Sequence, residues 1–262
     1  MSGWYAQLQV ARDAARLAGQ AVRAEFGMRR IAAYKGATDV QLSADLLAQQ
    51  TIASRLREAY PDYGLVAEED ENQEWPARES VWVVDPLDGS NNFGYGIAHC
   101  AVAVTLFHRD EVVLGLVFDP LLGREFYATG ACGITPIAAE TVPLDRATIS
   151  IVTSYGSHNR GWLVRVNEIV GDRCKRLVIM WAPALDLALI ASGSIDAMIC
   201  YRGGMLDVCG GMFLVESAGG CVLDFKGAPV SVRGSDLARP LSFVAARTAD
   251  LAHELVKVIP TR

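Results

Sequence analysis

The chain has no Cys-x-x-Cys pair: its six cysteines, Cys100, Cys132, Cys174, Cys200, Cys209 and Cys221, are scattered. That spacing argues against a disulfide framework and against a cysteine zinc site. Several of them lie in apolar runs and read as small buried hydrophobes of a reducing cytoplasm. Histidine is scarce too: His99, His108, His158 and His253 are far apart in sequence, which disfavours zinc and copper. No basic stripe exceeds two or three residues and the net charge is −6, so nucleic acid is not expected as a partner. No uninterrupted apolar run is long enough to span a bilayer, so no membrane partner is expected. The first helical turns carry Arg12, Asp13 and Arg16, a charge pattern unlike a secretory leader, and the expected location is cytoplasmic. The Gly-x-x-x-x-Gly-Lys-Ser/Thr loop and the Gly-x-Ser-x-Gly elbow are missing. Gly94-Tyr95-Gly96 lacks the third glycine of a dinucleotide fingerprint, which removes a nicotinamide oxidoreductase. There is no internal repeat and no low-complexity segment.

What is present is an ordinary globular composition: 262 residues, 51% hydrophobic and 21% charged. Apolar residues recur at helical spacing over 4 to about 28, with Gly27 as a stop. A second helix is expected from Ser43 to before Pro61. Strands are expected at 63–67, at 82 onward, at 100–107 and 112–118 around the turn at 108–111, and at 126–129. After 147 strand and helix alternate: strands at 149–154, 177–180, 195–201, 221–225 and 243–246, and helices at 160–170, 183–191, 207–218 and 248–258. This pattern predicts an α/β protein. A subdomain boundary is placed near 140. It separates an N-terminal α+β part (1–140) from a C-terminal α/β part (141–262), joined in one compact unit.

The centre of the sequence is Trp82-Val83-Val84-Asp85-Pro86-Leu87-Asp88-Gly89-Ser90-Asn91-Asn92-Phe93. An apolar strand runs into two aspartates. Two carboxylates held that close repel each other unless a proton or a cation lies between them. Gly89 lets backbone N–H groups face a ligand, and Ser90 is suited to cap a following helical turn. Two more acids sit at the ends of elements. Glu68 follows the apolar run 63–67 and opens the acidic run Glu68-Glu69-Asp70-Glu71. Asp207 begins a helix after Arg202-Gly203-Gly204-Met205. Each acid alone reads as a turn, a solvated loop or a helix-dipole partner, as does Asp45 in the first turn of the second helix. Together, Glu68, Asp85, Asp88 and Asp207 form an all-oxygen donor set suited to Mg²⁺ with a phosphate beside it.

These residues carry a resemblance. Asp85-Pro-Leu-Asp88-Gly-Ser-Asn-Asn-Phe93 resembles the signature of the inositol monophosphatase family, Asp-Pro-hydrophobic-Asp-Gly-Thr-Thr-Asn-Phe. Lys35-Gly-Ala-Thr-Asp39 with Asp45, Glu68-Glu69, Gly193-Ser-Ile-Asp196 and Leu206-Asp207…Glu216-Ser-Ala-Gly-Gly220 resemble its other elements, in order. The resemblance implies an alternating α/β/α/β/α layered sandwich shared with fructose-1,6-bisphosphatases. It also implies Mg²⁺-dependent, Li⁺-sensitive hydrolysis of a small phosphomonoester by metal-activated water, with two or three ions, and commonly a homodimer. By position, Glu68, Asp85, the Leu87 carbonyl, Asp88 and Asp207 would hold the metals. Asp45 and Ser90 would orient and deprotonate the water near Glu68. Backbone N–H groups of Gly89 and Ser90 would hold the phosphate.

Departures fall on the substrate side. The family's Gly-Ser/Thr-Ala reads Trp181-Ala182-Pro183 here. Cys200 stands where a ring-binding Glu is usual, with Arg202 nearby, and Leu206 replaces a Trp. Gln41-Leu42 replaces the Val-Thr before Asp45, and the element after the hairpin is degraded to Gly130-Ala-Cys-Gly133-Ile-Thr-Pro. Trp181, Ala182, Pro183, Cys200 and Arg202, with Asp88 and Asp207, are therefore the expected substrate contacts. The expected leaving group is a cyclitol or sugar other than plain myo-inositol. A 3′-phosphonucleotide, a sugar bisphosphate and histidinol phosphate are the alternatives, and a non-catalytic relative that binds metal or a phosphorylated ligand is the alternative of another class.

Overall fold

Side chains alternate across each strand, and in this chain both sides are apolar. In the computed structural model, which describes residues 3–34, 40–70, 73–130, 132–133, 141–154 and 159–260, β4 (Ser80–Asp88) is buried along its whole length. Trp82 and Val84 point to one core, and Val81 and Val83 to another. A strand buried on both faces needs a layer above and a layer below, and the rest of the chain provides them.

β4 lies in a six-stranded sheet with β3 (Gly64–Ala67), β5 (Ala101–His108), β6 (Glu111–Asp119), β7 (Arg124–Thr129) and β8 (Cys132–Gly133), in the order β3-β4-β5-β6-β7-β8. Only the β3–β4 pair is parallel. One face is covered by α1 (Tyr5–Arg23) and α2 (Ser43–Ala59), which bury Leu8, Ala15, Val22, Ile52 and Leu56 against Trp82, Val104 and Leu116. The other face meets α5 (Pro183–Ala191) and α6 (Met205–Ser217). These two helices are buried on nearly every side, as helices between two sheets must be.

The second sheet has five strands in the order β10-β9-β11-β13-β12. They are β9 (Thr148–Thr153), β10 (Arg176–Val178), β11 (Ala197–Gly203), β12 (Cys221–Asp224) and β13 (Leu241–Ala246). β10, β9 and β11 run parallel. Met198, Cys200 and Phe243 face α5 and α6, while Ala197, Ile199 and Val244 face α4 (Arg160–Gly171) and α7 (Ala249–Val258). The layers are therefore α1/α2, six strands, α5/α6, five strands and α4/α7: the expected α/β/α/β/α sandwich. Among the described residues no helix is long and apolar enough to cross a membrane.

Two short elements are additions to the sequence reading. β1 (Ile31–Tyr34) and β2 (Val40–Leu42) form an antiparallel pair before α2. β1 is largely exposed and carries no alternation that marks a strand. α3 (Ser90–Gly94) is a single turn whose cap position is Gly89, so Ser90 opens the helix and does not cap it. Lys35 to Asp39, Glu71, His158 and parts of the 130–136 element lie outside the described residues.

α6 packs onto β6 at backbone distance. A Cβ on Gly115 would lie 2.6 Å from the Gly210 carbonyl oxygen. Gly115→Ala should therefore force the middle layer outward and cost about 1–3 kcal/mol, read as a lower midpoint in urea unfolding.

Candidate metal centre

The candidate residues converge because four strands end at the same place. Glu68 follows β3, Asp85 and Asp88 close β4, Thr153 and Ser154 lie at the end of β9, and Gly203 ends β11. A cavity of about 190 Å³ opens between these ends, lined by Glu68, Asp85, Asp88 and Asp207 on its acidic side. Val152, Thr153, Ser154, Trp181 and Pro183 line it as well. Ligand crevices in α/β sheets form outside the carboxyl ends of strands, and this one does.

The central motif is a distortion with a purpose. Pairing of β4 with β5 slips between Asp85 and Asp88, where Pro86 has no N–H to give the ladder. Asp85 Oδ1 accepts the Leu87 N–H at 3.0 Å, closing the turn. Asp88 Oδ2 accepts the Leu185 N–H at 3.0 Å, one of the amides left over at the N-terminus of α5. Gly89 follows at φ +79, and a Cβ there would lie 2.9 Å from the His99 carbonyl oxygen and 3.1 Å from the Ala182 methyl. Only glycine meets both demands.

Carboxylate oxygens of Glu68, Asp85 and Asp207 lie within 4.8 Å of one another. Burial pushes the Asp85 carboxyl well above its ordinary 3.8, and Glu68, Asp88 and Asp207 push it the same way. Asp88 is also raised, first by burial; the Leu185 N–H opposes this, and Asp207, Asp186 and Glu68 add repulsion. Among the described lining residues there is no Lys or Arg. Four acids and hydroxyl or carbonyl oxygens, with no soft donor at the surface of the cavity, fit a hard divalent cation such as Mg²⁺.

The acidic run is sorted by its neighbours. Gln41 Nε2 donates to Glu69 Oε2 at 2.6 Å, Gln49 Nε2 to Asp70 Oδ1 at 2.9 Å, and the Glu69 N–H to Gln49 Oε1 at 2.9 Å. Glu69 and Asp70 are thereby turned to β2 and α2, and Glu68 alone of the described run lines the cavity.

Of the other expected site residues, Leu87, Gly89, Ser90, Trp181 and Pro183 line the cavity, and Asp45, Ala182, Cys200 and Arg202 do not. Asp45 is buried at the start of α2, where Oδ2 accepts the Leu42 N–H. Ala182 is buried against Gly89. Cys200 is wholly buried, its thiol pushed up to about 12 by burial, and its sulfur lies 2.5 Å from where a Cβ on Gly203 would fall. It stands behind the wall that Gly203 forms. Arg202 is exposed at φ 61, its N–H bonded to Ser242 Oγ at 3.1 Å. Pairing of β11 with β13 slips between Cys200 and Gly203, which leaves Arg202 outside the regular ladder, while Cys200 keeps the alternation of Met198 and faces α5 and α6. Besides Gly203 and Gly204, the lining residues the sequence reading missed are Val152, Thr153 and Ser154. Their signal was a hydroxyl pair at the carboxyl end of an apolar strand.

Without a cation the folded protein binds the Asp85 and Asp88 protons more tightly than the unfolded chain does. Metal-free stability therefore falls as pH rises from the ordinary carboxylate range through the raised values. Asp85→Asn keeps the acceptor for the Leu87 N–H and removes a charge. In EDTA at pH 7 it should melt roughly 2–4 °C higher, about 1 kcal/mol for a chain of this size, and it should lose the gain that Mg²⁺ gives the wild type. A lower melting point in EDTA, or an unchanged response to Mg²⁺, contradicts this reading.

Known proteins agree with the geometry. A sequence model of the inositol monophosphatase family matches residues 5–259. The Nus factor SuhB of Xylella fastidiosa is 31% identical over 236 residues, covering 86% of this chain and 83% of that protein. An inositol-1-monophosphatase of Rhizobium meliloti is 30% identical over 219 residues, covering 80% and 82%. Among solved structures, the extragenic suppressor protein suhB of Bartonella henselae superposes with a TM-score of 0.86 at 25% identity, covering 98% of this chain and 99% of that one. The chain belongs to the inositol monophosphatase family.

Proposed function

We propose that the protein is a Mg²⁺-dependent phosphomonoesterase acting on a small hydroxylated phosphate, a cyclitol or sugar phosphate in preference to plain inositol 1-phosphate. Family membership supports phosphatase activity. The observation that carries the reading is the acidic cavity: Glu68, Asp85 and Asp207 oxygens within 4.8 Å, with Asp88 fixed by the Leu185 amide. Bound there, Mg²⁺ would neutralise phosphoryl oxygens, activate a water and stabilise the leaving oxygen.

The chain's own groups supply the rest. Backbone N–H groups at Gly89 and Ser90, on the left-handed turn that opens α3, hold the phosphoryl oxygens. The Ser90 hydroxyl orients the water with Glu68 beside it, and Asp45, buried behind the cavity, takes the proton through the Ser90 hydroxyl. As the water oxygen bonds phosphorus, the bond to the leaving oxygen breaks, and that oxygen takes a proton from solvent. No side chain is placed as a nucleophile, so no phosphorylated protein forms. Trp181, held at φ 48, and Pro183 shape the side where the leaving group sits. Inhibition by Li⁺ belongs to the same proposal.

A homodimer is part of it. Met28, Tyr95, Ile97, Ile179 and Trp181 are exposed. Gly27 N–H donates to the Phe93 carbonyl and Asn92 Nδ2 to the Met180 carbonyl, which draws their segments together. An apolar patch of this kind suits a second copy of the chain. Sedimentation equilibrium should give twice the chain mass, and Ile179→Glu with Tyr95→Glu should give one chain mass.

One observation favours a second reading: a relative at 31% identity is named a Nus factor, which describes something other than hydrolysis. Phosphate release across a phosphomonoester panel separates the two. The hydrolase reading expects Mg²⁺-dependent turnover that Asp88→Asn lowers by about 100-fold or more, the ~3 kcal/mol of losing part of the metal's charge stabilisation. No turnover on any member favours the non-catalytic reading, and inositol 1-phosphate as the best substrate by far would sink the altered preference.

A further inference from the structure

Asp186 is an acidic side chain in the middle layer that the proposed chemistry does not use. It is 1% exposed and both of its oxygens are taken. Oδ1 lies 2.7 Å from His99 Nε2, and Oδ2 accepts the Ser150 hydroxyl. A carboxylate acceptor requires that His99 Nε2 carry the hydrogen. The three groups come from three layers. His99 precedes β5 in the six-stranded sheet, Asp186 lies in the first turns of α5, and Ser150 is on β9 in the five-stranded sheet. None of them lines the cavity.

A buried polar triad in an otherwise apolar layer is weak evidence for stability, so its position asks for a reason. Each end of it touches the groups that hold the acidic motif. Next to Asp186 in sequence, the Leu185 N–H holds Asp88 Oδ2. The His99 carbonyl accepts Asn92 Nδ2 at 2.9 Å, and it is the same oxygen against which Gly89 has room for no Cβ. Asn92 also bonds the Met180 carbonyl, just before α5. The loop 88–92 and the segment 180–185 that leads into α5 are therefore joined twice, once through Asp88 and once through Asn92. The His99–Asp186 bond closes the ring between them, and Ser150 ties that ring to the second sheet.

We propose that His99 and Asp186, backed by Ser150, are positioning residues for Asp88: they hold the first turn of α5 where the Leu185 amide presents the Asp88 carboxylate to a divalent cation. This rests on Asp88 being a metal ligand, and it does not require that any phosphate be hydrolysed.

The test is calorimetric titration of Mg²⁺ into metal-free wild type, His99→Phe, His99→Gln and Ser150→Ala, with melting in EDTA run alongside. Phe fills the imidazole's space without a donor; Gln offers an N–H near the place of Nε2. The expected result is about tenfold weaker Mg²⁺ binding in His99→Phe, recovery to within about threefold of wild type in His99→Gln, and a loss of about threefold in Ser150→Ala. If His99→Phe melts lower but binds Mg²⁺ like wild type, the triad is only structural and the proposal fails. It fails equally if Gln restores nothing. Should His99→Phe not fold, Ser150→Ala decides: unchanged Mg²⁺ affinity overturns the proposal. A wild type that binds Mg²⁺ but turns over no phosphomonoester would sink the hydrolase reading and leave this inference to the calorimetry.

Discussion

Repulsion among buried carboxylates is the constraint on which the site depends. Two unit charges about 4 Å apart repel by ~1 kcal/mol in water and ~4 kcal/mol at the dielectric usual near protein surfaces. Here Glu68, Asp85 and Asp207 meet within 4.8 Å and Asp88 stands close enough to interact with all three. Burial and mutual repulsion raise Asp85 and Asp88 together. A fold that holds such a group rigidly spends stability to do so, and a bound cation would recover it.

The scaffold explains how the strain is held. Each acid stands at the end of an element anchored in an apolar layer, so no single loop can relax it. β4 brings Asp85 and Asp88 between two cores, and the slip at Pro86 lets both acids reach the cavity side. α5 and α6 are buried between the sheets, and both begin at the cavity. α5 gives an amide to Asp88, and α6 carries Asp207 in its first turn. Helix N-termini favour negative charge, which lessens the penalty without removing it.

Much of this was legible from residue order. The layered fold follows from strands apolar on both faces, from helices 183–191 and 207–218 with no polar side, and from the resemblance carried by the acidic motifs. Glu68, Asp85 and Asp88 were legible because each follows an apolar strand, and Asp207 because it begins a helix. What was not legible had physical causes. The β1–β2 pair is short and exposed. Arg202 sits at a slip in strand pairing, so periodicity does not place it, and Cys200 is kept from the cavity by the close approach of Gly203. Gln41 and Gln49 select Glu68 out of an acidic run through contacts between residues distant in sequence. His99 looks isolated in sequence because its partner Asp186, itself bonded by Ser150, arrives from the other half of the chain.

Of the positions where this chain departs from the family's motifs, Trp181 and Pro183 line the cavity, together with Thr153 and Ser154. The acidic side is the firmer part, and it can be seen directly. Crystals soaked in Mn²⁺ and measured at its absorption edge should show an anomalous peak bound by oxygens of Glu68, Asp85 and Asp207, with Asp88 still accepting the Leu185 N–H. Strong peaks elsewhere and none among these carboxylates would contradict the metal-centred reading of the fold.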